Sequence, residues 1–339
     1  MSPPSPASAS ASASASESAP ALAATTPPSP PKRPVSPSSA SAPVSRKRKA
    51  DRIQERQKQQ ALNEHELDLF LGATPVPDDA LAAAERSYQA ESEDSDKRAI
   101  MSCSAPSGSE LLPGMVLLKN FLSPEEQQRL VDESRTMGLA AGGFYKPTYA
   151  SGAKCRLHQM CLGRHWNVKT EQYEQQRTNF DNADVPPLPS SWSALATKSL
   201  QAAVAVDPRV QGTCRELMEP DICVVNYYKK AGRNGMHIDK DESVEAMTMG
   251  SPVVSFSIGS AADFAFCDHY PEPHEGVPVV RLESGDVLVF GGPSRRVVHA
   301  LTRVYPNTAP AWLHMRSGRL NLTFREYCPR EVARESAEM

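Results

Sequence analysis

The fold is decided by residues 221–242, which read DICVVNYYKKAGRNGMHIDKDE. Their first part, 221–228, is a run of apolar, β-branched and aromatic residues that is typical of a buried strand. A turn signal follows at 231–235, and residues 236–239 resume an extended pattern. Because side chains alternate between the two faces of a strand, His237 and Asp239 are expected to point the same way.

An imidazole and a carboxylate on one face form two arms of a metal chelate. A further imidazole would complete the two-histidine, one-carboxylate triad that binds non-haem Fe(II) and leaves coordination positions open for substrates. One candidate is His299, which lies in a later predicted strand. The sequence therefore predicts an iron site formed by His237, Asp239 and His299.

The chain from residue 221 onward is organised as about eight short strands separated by turns. These predicted strands are 221–228, 236–239, 253–260, 262–267, 279–283, 286–290, 297–301 and 319–326. No long helix is expected between them. The pattern predicts a mainly β fold whose core is a double-stranded β-helix, or jelly roll, with helices packed on one outer face.

The last predicted strand has two different faces. Arg319, Asn321 and Arg325 share one face, and apolar residues occupy the other. A buried arginine needs an anionic partner, which a dicarboxylate cosubstrate would supply. The alternative is a solvated edge whose arginines pair with local acids. The His-x-Asp motif and the later histidine favour the first interpretation. On the predicted strand at 221–228, Asn226 and Tyr228 also share one face.

Between residues 111 and 220 the signals are those of two helices and two short strands, the first strand being 114–119. Residues 123–126, Ser-Pro-Glu-Glu, supply an N-cap, a proline at the first helical position and a glutamate three residues after the cap. Residues 191–204 have helical spacing of apolar side chains. A strand is predicted at 158–163 and a polar loop at 164–186.

Residues 142–154, GGFYKPTYASGAK, form a glycine-rich loop with three aromatic rings. Rings beside a catalytic face can stack on a nucleobase, and Tyr145 is the candidate for such a contact. The alternative is that these rings only cover an edge of the core.

The chain has 339 residues, and its first 110 are expected to form a disordered tail. Residues 1–45 are almost entirely Ser, Ala and Pro, a short helix is predicted at 57–71, and an acidic, polar linker is predicted at 75–109. We place the folded domain at 111–330 and a short tail at 331–339. The basic cluster at 45–52 indicates a nuclear localisation signal or a nucleic-acid contact, unless it is simply a solvated tail. An organelle transit peptide is disfavoured because the first 31 residues contain no Arg or Lys.

Charge and cysteine content restrict the class of protein. The net charge of −3 provides no global attraction to nucleic acid, so any such attraction must be local. The seven cysteines lack CxxC spacing, which favours free thiols in a reducing compartment. No apolar run approaches the ~20 residues of a membrane span. We expect a soluble, intracellular monomer of the nucleus or cytoplasm.

Several of these motifs together resemble the AlkB family of Fe(II)- and 2-oxoglutarate-dependent dioxygenases. The resemblance covers roughly residues 111–328 and is carried by the HIDKDE run at 237–242, Asn-Tyr-Tyr at 226–228, SGDVLVFGG at 284–292, His299 and RLNLTFR at 319–325. The loop at 142–154, together with residues 160–163 and Trp166, is similar to plant and algal relatives of the first animal AlkB homologue.

The resemblance implies a role for each matching residue. His237, Asp239 and His299 would bind Fe(II), Asn226 and Tyr228 would hydrogen-bond the cosubstrate, Arg319, Asn321 and Arg325 would bind its carboxylates, and Asp241 would contact the substrate base. The implied reaction uses 2-oxoglutarate and O2 to demethylate N-methylated bases in DNA or RNA, as in DNA repair, and releases formaldehyde, succinate and CO2. Residues 267–271, Cys-Asp-His-Tyr-Pro, depart from the bacterial pattern, which has a basic residue there.

Two other functions are compatible with the same residues. A dioxygenase of this fold could act on a protein side chain instead of a base. A catalytically inactive relative could bind nucleic acid without turnover, although a complete triad argues against this.

Overall fold

Twelve strands and five α-helices are present within residues 67–102, 108–229 and 233–337, which the computed structural model describes. The strands are β1 (Gly108–Leu112), β2 (Met115–Leu118), β3 (His158–Leu162), β4 (His165–Asn167), β5 (Gln172–Glu174), β6 (Ile222–Tyr228), β7 (Val253–Gly259), β8 (Ala262–Cys267), β9 (Val279–Leu282), β10 (Val287–Phe290), β11 (Val298–Val304) and β12 (Arg319–Arg325). The helices are α1 (Ala80–Ser102), α2 (Pro124–Leu139), α3 (Ser190–Val206), α4 (Val244–Met249) and α5 (Arg330–Ala337). The basic cluster at 45–52 and most of the helix predicted at 57–71 lie outside the described residues.

Two antiparallel sheets form the core, which confirms the predicted jelly roll. The larger sheet has the strand order β1-β2-β10-β7-β12-β6-β3, and the smaller one has the order β11-β8-β9. An apolar cluster drawn from both sheets, with Val253 and Phe290 from one and Phe264 and Phe266 from the other, packs between them. The remaining space between the sheets is available for a ligand.

The outer face of the larger sheet is covered by helices. On β12 the apolar residues Leu320, Leu322 and Phe324 are fully buried on this side. Trp192 of α3 meets Phe324 with ring centroids 6.5 Å apart. The alternation of β12 therefore directs its apolar residues to the helices and its polar residues to the space between the sheets.

The start of α2 follows its sequence signal. Ser123 Oγ accepts a hydrogen bond from the Glu126 backbone amide, and the Glu126 carboxylate accepts one from the Ser123 amide. This reciprocal capping box satisfies two amides that the helix itself cannot pair.

Ser123→Ala should lower the free energy of unfolding by about 1 kcal/mol, because one amide at the helix start loses its acceptor. Urea denaturation of the full chain measures this change. Ser190→Ala is the matched control, since Ser190 begins α3, whose N-terminus has no side-chain cap. An equal loss in both variants would contradict the capping role.

Three sequence predictions are wrong in detail. The linker predicted at 75–109 contains α1, whose many Ala and Glu residues favour helix. This helix is tied to the start of α2 by hydrogen bonds from Glu125 N to Glu85 Oε2 (2.9 Å) and from Tyr88 Oη to the Phe121 carbonyl (2.8 Å). The polar loop predicted at 164–186 contains the β4–β5 hairpin. The strand predicted at 236–239 is a single β-bridge.

In the part of the chain that the structure describes, no helix has the length and apolar character needed to cross a membrane.

Candidate metal centre and cosubstrate pocket

A β-bridge brings two histidines of the predicted triad side by side. The His237 amide donates to the His299 carbonyl at 3.0 Å, and the His299 amide donates to the His237 carbonyl at 2.9 Å. The two imidazole centroids are consequently 4.4 Å apart. Asp239 completes the group, with Oδ1 3.7 Å from His237 Nε2 and Oδ2 4.0 Å from His299 Nε2.

Hydrogen bonds orient both imidazoles for metal binding. Nδ1 of His237 lies 2.8 Å from the Gly235 carbonyl, and Nδ1 of His299 lies 3.1 Å from the Val297 carbonyl. A carbonyl oxygen can only accept, so each Nδ1 carries the proton and each Nε2 offers a lone pair toward Asp239. The three residues each offer one ligand atom, and these three atoms all lie within 4.8 Å of one another.

Burial and neighbouring charges set the protonation states that a metal ligand needs. Burial lowers the pKa of His299 to about 4, so this imidazole is neutral at physiological pH. Burial alone would raise the pKa of Asp239, but the positive charge and hydrogen bond of Arg325 work against burial, and the pKa is lowered. His299 and Asp239 are therefore in the forms, neutral imidazole and ionised carboxylate, that bind Fe(II) in a facial triad.

A buried network of two arginines and two acids fixes Asp239. The Arg325 guanidinium lies 2.5 Å from Asp239 Oδ2 and 3.1 Å from Glu242 Oε1. Arg295 donates to the Asp239 backbone carbonyl, and its guanidinium lies 2.5 Å from Glu242 Oε2. Two positive and two negative charges balance, which is what keeps so many charges stable away from water.

Glu242→Gln should lower the free energy of unfolding by about 3 kcal/mol, because the buried Arg295 would lose the negative charge of Glu242 and Arg325 would keep that of Asp239 alone. Thermal or urea denaturation measures the loss. Glu245→Gln, an exposed change in the first turn of α4, is the control and should leave stability within about 0.5 kcal/mol. If Glu242→Gln protein is as stable as the Glu245→Gln control, the buried guanidinium groups do not need the charge of Glu242.

Arg319 is the second predicted arginine, and its environment is different. Its side chain is 2% exposed, one guanidinium nitrogen donates to Ser257 Oγ at 2.9 Å, and its Nε has no partner. Among the residues that the structure describes, no carboxylate forms an ion pair with Arg319. Burial lowers the pKa of Arg319 to about 10, so the group remains charged at neutral pH. A buried cation of this kind fits the carboxylate of a bound ligand.

The other predicted cosubstrate residues lie beside Arg319. In the register of β6 and β12, Tyr228 is opposite Arg319 and Asn226 is opposite Asn321. The side-chain amide of Asn321 is held by Ser255 Oγ at 2.7 Å and by the Phe256 carbonyl at 3.0 Å. These residues, the triad and Arg325 line one cavity of about 410 Å³ between the two sheets. The cavity has room for 2-oxoglutarate next to the triad.

The two predicted substrate residues are placed differently. Asp241 lines the cavity, and burial together with the charge of Glu242 raises its pKa to about 6. Tyr145 is buried instead, where its hydroxyl donates to Gln159 Oε1 at 3.3 Å and its ring packs near His165 and Phe180. The structure thus does not bring Tyr145 into the cavity. The ring that reaches the cavity from the same loop is Tyr149.

Several cavity residues were not anticipated from the sequence. Gln159 of β3 reaches Asn226 Oδ1 at 3.3 Å, and the hairpin β4–β5 supplies Trp166 and Tyr173. Tyr270, 59% exposed, lies at the mouth in the loop after β8. Aromatic residues in the polar segment 164–186 were the available signal for the hairpin.

A jelly roll that holds two histidines and one carboxylate opposite an unpaired arginine defines the class of non-haem iron oxygenases that use a carboxylate cosubstrate. Residues 114–325 match the family model of the 2OG-Fe(II) oxygenase superfamily. The chain is also 36% identical over 222 residues to the alpha-ketoglutarate-dependent dioxygenase AlkB homolog of Caulobacter vibrioides, a match that covers 63% of this chain and 88% of that protein. The chain therefore belongs to the 2OG-Fe(II) oxygenase superfamily and, within it, to the AlkB family. Its members use Fe(II), 2-oxoglutarate and O2, and the residues described above fit that set.

Plant proteins show higher identity. The chain is 44% identical over 230 residues to the DNA N(6)-methyladenine demethylase ALKBH1C of Arabidopsis thaliana, a match that covers 65% of this chain and 50% of that protein. A solved structure titled "The structure of OsALKBH1" superposes with a TM-score of 0.59 at 41% identity and covers 65% of this chain and 99% of that one. The chain spans about half the length of the two Arabidopsis demethylases that it matches at 43–44% identity.

Proposed function

We propose that this protein is an oxidative demethylase of N-methylated bases in nucleic acid, with N6-methyladenine as the first candidate. The observation that carries the proposal is one cavity lined by the triad His237, Asp239 and His299 and by the buried Arg319, which has no carboxylate partner among the described residues. The Arabidopsis relative at 44% identity is named a DNA N(6)-methyladenine demethylase, which supports the choice of substrate.

Each group has one task in this proposal. The triad holds Fe(II), Arg319 binds one carboxylate of 2-oxoglutarate, and Asn226, Tyr228 and Asn321 orient the cosubstrate. When bound, iron, 2-oxoglutarate and O2 supply the oxidising power that hydroxylates the N-methyl carbon. The hydroxymethyl product then loses formaldehyde and leaves the unmethylated base. Arg325 acts by holding Asp239 in its ligand position and ionised state.

Aromatic and acidic side chains at the cavity mouth support a base as substrate. Tyr149, Trp166 and Tyr270 offer flat apolar surfaces, and an extruded or single-stranded base gains binding energy by stacking on such rings. Asp241 can exchange hydrogen bonds with a base edge. Aliphatic protein substrates would not require several rings, so the mouth favours a nucleobase over a protein side chain.

The test is a substrate panel with the full chain, Fe(II), 2-oxoglutarate and O2. Single- and double-stranded DNA and RNA carrying N6-methyladenine or other N-methylated bases are compared with methylated peptides. Mass spectrometry follows loss of the methyl group, and formaldehyde and succinate are measured in parallel. We expect equal amounts of both products with at least one oligonucleotide and none with His237→Ala protein. Turnover of peptides alone would transfer the assignment to protein substrates, and binding without turnover would leave a non-catalytic reader.

We also propose a subcellular location for the protein. We infer that the protein acts as a monomer in the nucleus, in DNA repair or in removal of base methylation, with the cluster at 45–52 as its import signal. Deletion of residues 1–60 should shift a fluorescently tagged protein from the nucleus to the cytoplasm and preserve demethylation by the purified protein. An unchanged distribution in cells would rule out this cluster as the signal.

A further inference from the structure

A second group of metal-binding side chains lies at the start and within the loop that joins β8 to β9. Cys267 is the last residue of β8, and His269 and Glu275 follow in the loop. Ligand atoms of these three side chains lie within 4.8 Å of one another. The group falls in the segment whose sequence departs from the bacterial AlkB pattern, and the proposed demethylation makes no use of it.

The contacts of His269 are those of a metal-binding imidazole. Nδ1 lies 2.6 Å from Asp268 Oδ1 and 3.4 Å from Cys267 Sγ, whereas Nε2 lies 3.0 Å from Glu275 Oε1 and 3.9 Å from Cys267 Sγ. A carboxylate that accepts from the far nitrogen is the usual support of a zinc-binding histidine. Tetrahedral zinc holds sulfur, nitrogen and oxygen ligands roughly 3.3–3.6 Å apart, given its bond lengths of about 2.0–2.3 Å. The separations of Nε2 from Glu275 Oε1 and from Cys267 Sγ bracket that spacing, and a side-chain rotation that moves Sγ from the Nδ1 side to the Nε2 side of the ring would complete the site.

We propose that Cys267, His269 and Glu275 form a zinc site separate from the catalytic triad. A set of one thiolate, one imidazole and one carboxylate is softer than the triad, which has no sulfur, and therefore favours zinc over Fe(II) or Mg²⁺. Three protein ligands leave a fourth position for water. The His269 side chain is 55% exposed, so the ion can enter without unfolding of the domain.

Zinc at this position would fix the loop at the cavity mouth. Tyr270 follows His269 directly and lines the mouth. An ion that clips the loop to the end of β8 therefore holds the Tyr270 ring beside the cavity. Only this consequence for substrate binding rests on the proposed function; the metal site itself does not depend on it.

The competing explanation is an ordinary surface ion-pair cluster. In that case a protonated His269 lies between Asp268 and Glu275, which both raise the pKa of His269. The two explanations differ in the role of sulfur, because an ion-pair cluster has no use for the Cys267 thiolate. A probe that detects a metal–sulfur bond separates them.

Cobalt(II) is that probe, because a cobalt–thiolate bond gives an intense near-ultraviolet charge-transfer band, and imidazole or carboxylate ligands give none. Titration of the full chain with Co²⁺ should produce the band, and Zn²⁺ should abolish it. Cys267→Ser should remove the band, whereas Cys155→Ser, whose thiol lines the active-site cavity, should retain it. Asp268→Asn should retain the band with an affinity for cobalt weaker by about 10–100-fold. Circular dichroism checks that each variant is folded.

Equilibrium dialysis gives a second readout that is independent of spectra and of demethylation. Wild-type protein should bind one more zinc ion than Cys267→Ser protein, and His237→Ala should remove a different ion while leaving the band intact. A wild-type protein without the band, or a band that survives in Cys267→Ser or disappears in Cys155→Ser, would overturn the proposal. If the wild-type protein shows the band but demethylates no substrate, the result contradicts the proposed function and leaves the zinc site supported.

Discussion

Asp239→Ala protein should neither bind Fe(II) nor turn over 2-oxoglutarate, and it should also be less stable than wild type. The loss of metal affinity should exceed the roughly 10–100-fold that removal of an outer hydrogen-bond partner costs. The sequence pattern alone would predict an unchanged fold. The structure adds a cost, because Arg325 lies 2.5 Å from Asp239 and would lose half of its anionic environment. We expect the free energy of unfolding to fall by about 3 kcal/mol. This is the lower end for a broken buried ion pair, because Glu242 Oε1 remains 3.1 Å from Arg325 Nε.

His237→Ala separates these two effects. Its side chain is 37% exposed, and the contacts it makes to the Gly235 carbonyl, the Asn234 side-chain amide, the His299 ring and Asp239 do not bury it, so removal costs only about 1 kcal/mol. It should nevertheless abolish metal binding as completely as Asp239→Ala. Calorimetric titration with Mn²⁺ in place of Fe(II) measures affinity without turnover, and urea denaturation measures stability. Wild-type metal affinity in either variant would remove that residue from the ligand set.

Arg319→Met should weaken 2-oxoglutarate binding by about 10²–10³-fold, because a desolvated charge pair contributes several kcal/mol. The same change should leave the stability of the ligand-free protein equal or higher. Arg319 is buried without a carboxylate partner among the described residues, so methionine removes a desolvation cost and retains most of the volume.

Calorimetric titration of 2-oxoglutarate into Mn²⁺-loaded protein measures the loss of 2-oxoglutarate affinity. The thermal midpoint, recorded with and without 2-oxoglutarate, measures the stability. Arg281→Met is the control, since Arg281 is partly exposed and pairs with Asp263 on the outer part of the smaller sheet. If Arg319→Met binds 2-oxoglutarate like wild type, the carboxylate is bound elsewhere. If it is strongly destabilised, Arg319 has a structural role that its contacts do not reveal.

The parts of the fold that follow from local sequence were predictable. The capping box of Ser123 and Glu126 depends on residues three positions apart, and the two-faced pattern of β12 depends on alternation. The segment with His237 and Asp239 was predicted as a strand for the same reason. Only one bridge forms there, between His237 and His299, because the length of a strand pairing depends on the partner strand and local alternation does not reveal it.

The supports of the site were not predictable, because they join residues far apart in the chain. Arg295 and Glu242 have no sequence pattern that links them, yet they hold Asp239 and Arg325 in place. Gln159 reaches the cosubstrate residues only because β3 pairs with β6. The sequence predicts Tyr145 as a base-stacking residue because its ring lies in a glycine-rich loop. In the structure Tyr145 is buried, whereas Tyr149 of the same loop is exposed and lines the cavity. This difference depends on the tertiary fold and is not visible in the local sequence.

The bridge between His237 and His299 has a consequence for how long the protein retains its iron. Three backbone hydrogen bonds attach residues 234–237 to β11, one from the Asn234 amide to the Leu301 carbonyl and two between His237 and His299. By contrast, β12 is paired along its whole length with β6 and from Arg319 to Phe324 with β7. Fraying of so short an attachment costs far less than global unfolding. Metal release on warming should therefore precede melting of the sheets, and hydrogen exchange of the two bridge amides should report the same local opening.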